Sequence, residues 1–231
     1  MTSPKIIYQD KFIVAIDKPS GWVTLYSDGR PTLLQKWLRK EGIVKEEEKK
    51  GEFKKRTGII HRLDRDTSGV LLVAKAPTVL ATFRRLFKER KIKKEYLALV
   101  RGKTPRKGEI KAPIKRERDF WRVAPGGRMA ITKFSCLNYL TNKKGEEFSF
   151  LKIRILTGRT HQIRVHFRYL GYPLVGDKIY GSGKESFPRL FLHAFRLSFF
   201  HPFLKRRVTI TSPLPEELQK WRETLKVDKE K

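Results

Sequence analysis

The stretch HRLDRDTSGVLLVAK, residues 61–75, constrains the fold more than any other part of the chain. Its second half holds VLLVA (70–74), an unbroken apolar run too short for a helix, which reads as a buried strand. Its first half is polar and punctuated by Gly69. Asp64, Asp66, Thr67 and Ser68 can all hydrogen-bond turn backbone, so the segment reads as a tight loop feeding the strand. A buried strand needs partners, and the rest of the chain has to supply them.

KFIVAIDK (11–18) is a strand candidate closed by the turn PSGW. A short helix is expected over 31–41, with Pro31 at its first position, Leu33, Leu34, Trp37 and Leu38 on one face, and Gly42 as a stop. KEEEKKGEFKKR (45–56) carries little apolar content and reads as a charged, solvated loop insertion. Pro77 opens a second helix with Val79, Leu80, Phe83, Leu86 and Phe87 facing inward. KEYLALVRG (94–102) alternates as a strand with Tyr96, Ala98 and Val100 on one face. Further strands are expected at 129–140, 147–156, 190–199 and 206–211. THQIRVHFRYLG (160–171) reads as a helix capped by Thr160 and ended by Gly171. Its apolar stripe is Ile163, Phe167 and Leu170, and His161, Arg164 and Arg168 share another face. A last helix closes the chain at 215–225. Together these predict an α+β fold: a central, mostly antiparallel mixed sheet of about eight strands with flanking helices. The length suits one domain over 1–231, or two lobes sharing a core.

Charge decides the partner. Lys and Arg number 53 against 24 Asp and Glu, a formal net charge of +29 spread along the whole sequence. Such a surface suits nucleic acid first and anionic membrane a distant second. No run approaches the roughly 18 apolar residues of a spanning helix, and MTSPKIIYQDKF lacks the apolar core of a signal peptide. Cys136 is the single cysteine, which excludes a disulfide framework and fits a reducing, cytoplasmic setting; nothing points to an obligate protein partner, so a monomer is expected.

A carboxylate on a polyanion-binding face repels phosphate. Asp64 therefore needs a reason to be there: it is either a loop cap or a nucleophile, since carboxylates attack sugar carbons. A guanidinium beside it would keep it anionic and aim it, and Arg164 is the candidate; the bland alternative is a surface phosphate contact. Tyr96 is either a core residue with a wet hydroxyl or a cleft residue whose ring stacks on a base. His161 and His166 are five apart, about 140° around a helix, the wrong spacing for a shared metal. No metal is expected, and no phosphate-binding GxxxxGK[ST] or GxGxxG loop is present. Two rival readings stay open on these residues. One is a non-catalytic basic protein of ribosome assembly; the other is a metal-dependent nuclease using His61, Asp64 and Asp66.

TGIIHRLDRDTSGVLLVAK resembles the signature of the RluA-type pseudouridine synthases. FIVAIDKPSGW, KKEYLALVRG, TGRTHQIRVHFRYLGYPLVGDKIYG and LHAFRLSFFHPF resemble further blocks of that family, in order along nearly the whole chain. The resemblance implies a sheet bent around a catalytic cleft and isomerisation of uridine in ribosomal or transfer RNA, without cofactor or metal. It makes Asp64 the nucleophile, Tyr96 the active-site phenol and Arg164 the partner of Asp64. RNA contacts are expected from His61, Arg62, Arg65, Arg159, His161 and Ile163, with Arg62 a plug for the vacated base or a phosphate contact. Larger relatives carry an S4-type RNA-binding domain ahead of the catalytic one; the first catalytic strand here begins near residue 5, so that domain is expected to be absent.

Overall fold

A computed structural model of the chain describes residues 2–26, 30–44, 51–181 and 187–227. In chain order the elements are β1 (Lys5–Gln9), β2 (Ile13–Lys18), α1 (Leu33–Lys40), α2 (Gly51–Arg56), β3 (Ser68–Ala74), α3 (Pro77–Lys88), β4 (Lys93–Arg101) and β5 (Lys107–Glu117). There follow β6 (Phe120–Val123), β7 (Arg128–Thr141), β8 (Glu147–Ile155), α4 (Gln162–Tyr169), β9 (Leu192–His201), β10 (Arg206–Thr211), α5 (Glu216–Glu223) and β11 (Lys226–Val227). The fold is α+β and mostly antiparallel, as its sequence predicts, but the described residues hold eleven strands rather than about eight.

The chain divides into two compact units, Met1–Lys93 with Ala194–Pro213, and Lys94–His193 with Leu214–Lys231. In the first, the strands run in the order β1-β2-β3-β9, with β10 on β9. β2 pairs antiparallel with β3, Ile16 opposite Leu71. Every residue of β3 is buried, and Ile13 to Ile16 of β2 are at 0% exposure. This is the buried strand that the unbroken apolar run demands. α3 starts with Pro77, whose missing N–H costs nothing at a helix start, and buries Val79, Leu80 and Phe83.

α1 begins two residues later than expected, at Leu33. Thr32, not Pro31, is its boundary, through a reciprocal cap: Gln35 N–H donates to Thr32 Oγ1 and Thr32 N–H to Gln35 Oε1. The expected solvated loop over 45–56 also needs correction. Residues 45–50 lie outside the described ones, but Gly51–Arg56 form α2, and Phe53 is 3% exposed.

In the second unit the order is β4-β8-β7-β5-β6, antiparallel at each step, with β11 on β7. Its core gathers Leu99, Phe148, Phe150, Val175 and Phe191 with Leu218 of α5. No described helix is long and apolar enough to cross a membrane.

Candidate active site

Asp64 sits half-buried in the loop that precedes β3, and that loop is held through its backbone. On one side of Asp64, Thr24 Oγ1 donates to Leu63 O at 2.8 Å and accepts from Leu63 N at 3.3 Å. On the other, Arg65 O accepts from Lys18 Nζ at 3.1 Å and from Gly21 N at 2.9 Å, while Ser20 Oγ donates to Asp66 O. Lys18 is completely buried and also donates to the carbonyls of Pro19 and Trp22, which welds the PSGW turn to the Asp64 loop. Thr67 N–H closes the loop on Asp64 O. Gly69 then enters β3 at φ +114, where any Cβ would fall on the Ala194 carbonyl. The side chain of Asp64 thus projects from a backbone fixed on both flanks, which limits the ways it can point.

The neighbours of Asp64 differ in exposure. Arg62 and Arg65 are exposed. His61 is turned to its own unit: its Nε2 accepts from Leu72 N–H at 3.0 Å and its ring stacks on Phe87 at 4.6 Å. That nitrogen is a backbone acceptor here rather than a metal ligand. Among the described residues no group of three His, Cys, Asp or Glu side chains could hold a metal.

Tyr96 and Arg164 belong to the second unit. Tyr96 lies on β4 opposite Ile153 and is 9% exposed. α4 is capped by His161, not Thr160; His161 takes a left-handed conformation (φ 53) and makes no side-chain cap bond. Gln162 supplies the local order instead, its Oε1 accepting from Thr157 Oγ1 and Arg159 N–H. Ile163 is 4% exposed and packs in the apolar stripe with Phe167, offering little surface to a polynucleotide. Of the three residues grouped by spacing on one face, His161 is half-buried, Arg164 is buried and Arg168 is exposed.

Arg164 is buried because it has a partner. Its Nε donates to Asp177 Oδ2 at 2.8 Å and its Nη2 to Asp177 Oδ1 at 2.7 Å, a bidentate pair with side chains 3% and 0% exposed. Asp177 Oδ1 also accepts from the N–H groups of Ile179 and Tyr180. Burial pushes the Asp177 carboxyl up, but the Arg164 bonds and charge, with those two N–H groups, outweigh it and hold the carboxyl below its ordinary value. Val175 N–H donates to Leu99 O, and Arg101 N–H to Pro173 O, so the segment leading to Asp177 is docked on the strand that carries Tyr96. The Tyr180 ring lies 5.0 Å from Arg164 Cζ, and its hydroxyl accepts from Trp121 N–H and bonds His161 Nδ1 at 2.8 Å. Deeper in α4, His166 bonds Thr132 Oγ1 and the Ala112 carbonyl, and burial lowers its pKa to about 4, so it is a neutral structural residue.

The sequence profile of the family described as RNA pseudouridylate synthase matches residues 12–169. The chain belongs to that family. An uncharacterized RNA pseudouridine synthase of Chloroflexus aurantiacus is 41% identical over 210 residues, 88% of this chain and 63% of the relative. Ribosomal large subunit pseudouridine synthase C of Buchnera aphidicola is 35% identical over 90% of this chain and 66% of its own. The chain thus spans just under two-thirds of the length of these two relatives. Among solved structures, human RNA Pseudouridylate Synthase Domain Containing 1 is similar with a TM-score of 0.76 at 29% identity, covering 98% of this chain and 89% of that one.

The matched span includes Asp64, Tyr96 and Arg164 but stops short of Asp177 and Tyr180. The residues that hold Arg164 and the Asp64 loop are the ones that sequence reasoning passed over. Asp177 stands in PLVGDKIYG, where a lone acid inside an apolar, Gly-broken run was the available signal. Lys18 and Thr24 carried no comparable signal, because Lys18 is an ordinary strand end and Thr24 lies in ordinary turn sequence.

Proposed function

We propose that this chain isomerises uridine to pseudouridine in RNA, with Asp64 as nucleophile. The carboxylate attacks ribose C1′ and breaks the N-glycosidic bond, the electron pair leaving with uracil. The freed base rotates and C5 rejoins C1′, expelling the carboxylate; loss of the C5 proton restores the ring. In this reading Arg164 aims the carboxylate. Asp177 takes its Nε and Nη2 edge and fixes the plane of the guanidinium. Tyr96 stacks on the uracil, offsetting about 1–3 kcal/mol of the cost of unstacking it. The exposed Arg62 and Arg65 contact phosphate or fill the space that the base leaves. Each bond made or broken in these steps is accounted for by Asp64 and the nucleoside, so this reading calls for neither cofactor nor metal, and it has the enzyme work as a monomer on cytoplasmic RNA.

The observation that carries this reading is the loop itself: a half-buried carboxylate on a backbone clamped by Thr24, Lys18 and Gly21, inside the family's matched span. Relatives named for the ribosomal large subunit make that RNA the first substrate to test. Wild-type protein should release tritium from RNA labelled at uridine C5 and should do so in the presence of a chelator. Asp64→Asn should bind the same RNA and release none. Undiminished release by Asp64→Asn would refute the nucleophile, and RNA strand cleavage sensitive to chelator would favour the nuclease.

A further inference from the structure

Trp121 stands at the end of a cation-rich hairpin, with a cavity on each side of it. β5 and β6 pair so that Arg116 faces Trp121 and Ile114 faces Val123. Residues directly opposite each other in an antiparallel pair share a face of the sheet. Ile114 belongs to a small core with Ala130, Val165 and Tyr180, and Trp121 and Val123 pack against it. The Trp121 N–H that bonds Tyr180 fixes the hairpin to the Arg164 network. The indole is half-buried: held from below, open at its edges.

On one side lies a cavity of about 320 Å³ whose walls include Lys115, Arg116, Arg128 and Arg159, with Gly126 and Gly127 adding no side chain. On the other lies one of about 310 Å³ bordered by Phe120, Tyr169, Ile179, Arg122 and Arg168. Phe120, Tyr169 and Ile179 are 44%, 62% and 56% exposed, a concentration of large apolar side chains facing outward. No acid lines either cavity. The two acids of the hairpin turn, Glu117 and Asp119, lie outside both, and Glu117 is bonded to Arg122. Each volume is near the lower end of ligand-sized sites, roughly 300–1,000 Å³, too small for a folded partner and suited to single nucleotides.

We infer that Trp121 and its two flanking cavities form a platform for unpaired RNA, seating two successive nucleotides outside the reacting one. The base of one nucleotide stacks on Trp121 and Tyr169 on the aromatic side. The phosphate joining it to the next is held by Arg116, Arg128 and Arg159 on the cationic side. Stacking faces alternating with cations are what single-stranded recognition requires, because every base has a π-face and every linkage a charge. An apolar protein partner would not call for four cations in one wall. This inference rests on the reading that the chain acts on RNA, and it adds a preference for a target uridine next to a single-stranded segment.

The test uses the full chain carrying Asp64→Asn, so that chemistry cannot intrude, and two probes: tetrauridylate and the matching abasic ribose-phosphate tetramer. Anisotropy titrations should show tetrauridylate bound at least about tenfold more tightly. Trp121→Ala and the solvent-exposed Tyr169→Ala should each pull that ratio toward one, and Trp121→Phe should restore most of it. Arg116→Ala with Arg128→Ala should weaken both tetramers alike and flatten the salt dependence. A 4-thiouridine in the tetramer should photocrosslink to the peptide holding Trp121. Ratios unchanged in both Trp121→Ala and Tyr169→Ala, or crosslinks confined to other peptides, would overturn the platform. Tritium release by wild type is measured in parallel: no release with the expected tetramer behaviour sinks the isomerase and spares the platform, and the converse result does the reverse.

Discussion

The Asp177 carboxylate offers the most demanding check on how Arg164 is held. Of its four N–H bonds, three arrive at Oδ1, from Arg164 Nη2, Ile179 and Tyr180, and one at Oδ2, from Arg164 Nε. Asp177→Asn with its amide oxygen in the Oδ1 place keeps the first three. It sets an NH₂ group against Arg164 Nε–H and removes the counter-charge of a guanidinium that is 3% exposed. A lost charge-assisted bond costs about 1.5–3 kcal/mol, and an uncompensated buried charge about 3–5 kcal/mol. About 3 kcal/mol is therefore expected for Asn and nearer 5 kcal/mol for Ala, which also strips the two backbone donors. Against a total stability of roughly 5–15 kcal/mol, Asn should leave the protein folded but weakened. With a urea slope of about 2 kcal/mol per molar, the midpoint should fall by about 1.5 M, read by tryptophan fluorescence. Under native conditions kcat for tritium release should drop at least about tenfold with little change in KM, because a misdirected guanidinium affects the reaction more than RNA binding. Joining Asp177→Asn to Arg164→Met should recover stability but not activity, since the pair is then removed together. Additive costs in the double variant, or a loss below about 0.5 kcal/mol in Asp177→Asn, would refute the buttress.

Phe53→Ala should cost about 3–5 kcal/mol in chemical denaturation if α2 is packed, whereas a solvated segment would show no loss. Thr24→Val removes a donor and an acceptor from Leu63 at a site 2% exposed; about 1–3 kcal/mol of destabilisation and a fall in kcat are expected, and full activity would mean that the clamp does not set Asp64. His166 titrates near 4 in the folded chain against 6.5 in the unfolded one, because burial disfavours its charge. Its contribution is whole above pH 6.5 and is lost as pH falls toward 4, roughly 3 kcal/mol by thermal melts, with Asp177 adding a loss below its own ordinary range; a flat profile between pH 6.5 and 4 would contradict the buried neutral imidazole.

What the sequence could reveal depended on whether a residue's environment was local. VLLVA reads as buried because its run is contiguous, and it is β3. Asp64 could be singled out because its loop residues are adjacent in the chain. Arg164 was harder: helical periodicity groups it with His161 and Arg168, yet its burial is decided by a carboxylate 13 residues further on. Phe53 is one apolar side chain among cations, so no period marks α2, and only packing reveals it. In β5 the alternation of Ile110, Ala112 and Ile114 is present, but Lys111 and Pro113 between them, and Glu109, Lys115 and Arg116 beside them, mimic a solvated stretch. Thr160 is a better capping residue than His161 by type, but the helix starts at His161 without a side-chain cap, while Gln162 ties down the approach through Thr157 and Arg159, and no local rule anticipates that.

The positive charge of this chain divides into two populations with different work. An ammonium costs several kcal/mol to bury unless it is partnered. Lys18, fully buried, meets that condition with three carbonyls, one of them belonging to the residue after Asp64. Arg164 meets it with Asp177, and Lys94, 9% exposed, reaches the Thr157 carbonyl beside the start of α4. These cations are committed to protein acceptors, so they order the segments around Asp64 and Arg164. Arg62, Arg65, Arg116 and Arg128 are exposed, Arg65 and Arg116 each donating through Nε to a nearby carbonyl, and in the proposed reading their outer edges meet phosphate. Only this second population should release counterions on binding, at a log–log salt slope of about 0.7 per neutralised phosphate on single strands. The formal charge of +29 therefore overstates the proposed RNA footprint: losing a buried cation should cost geometry and rate while the salt slope stays where it was.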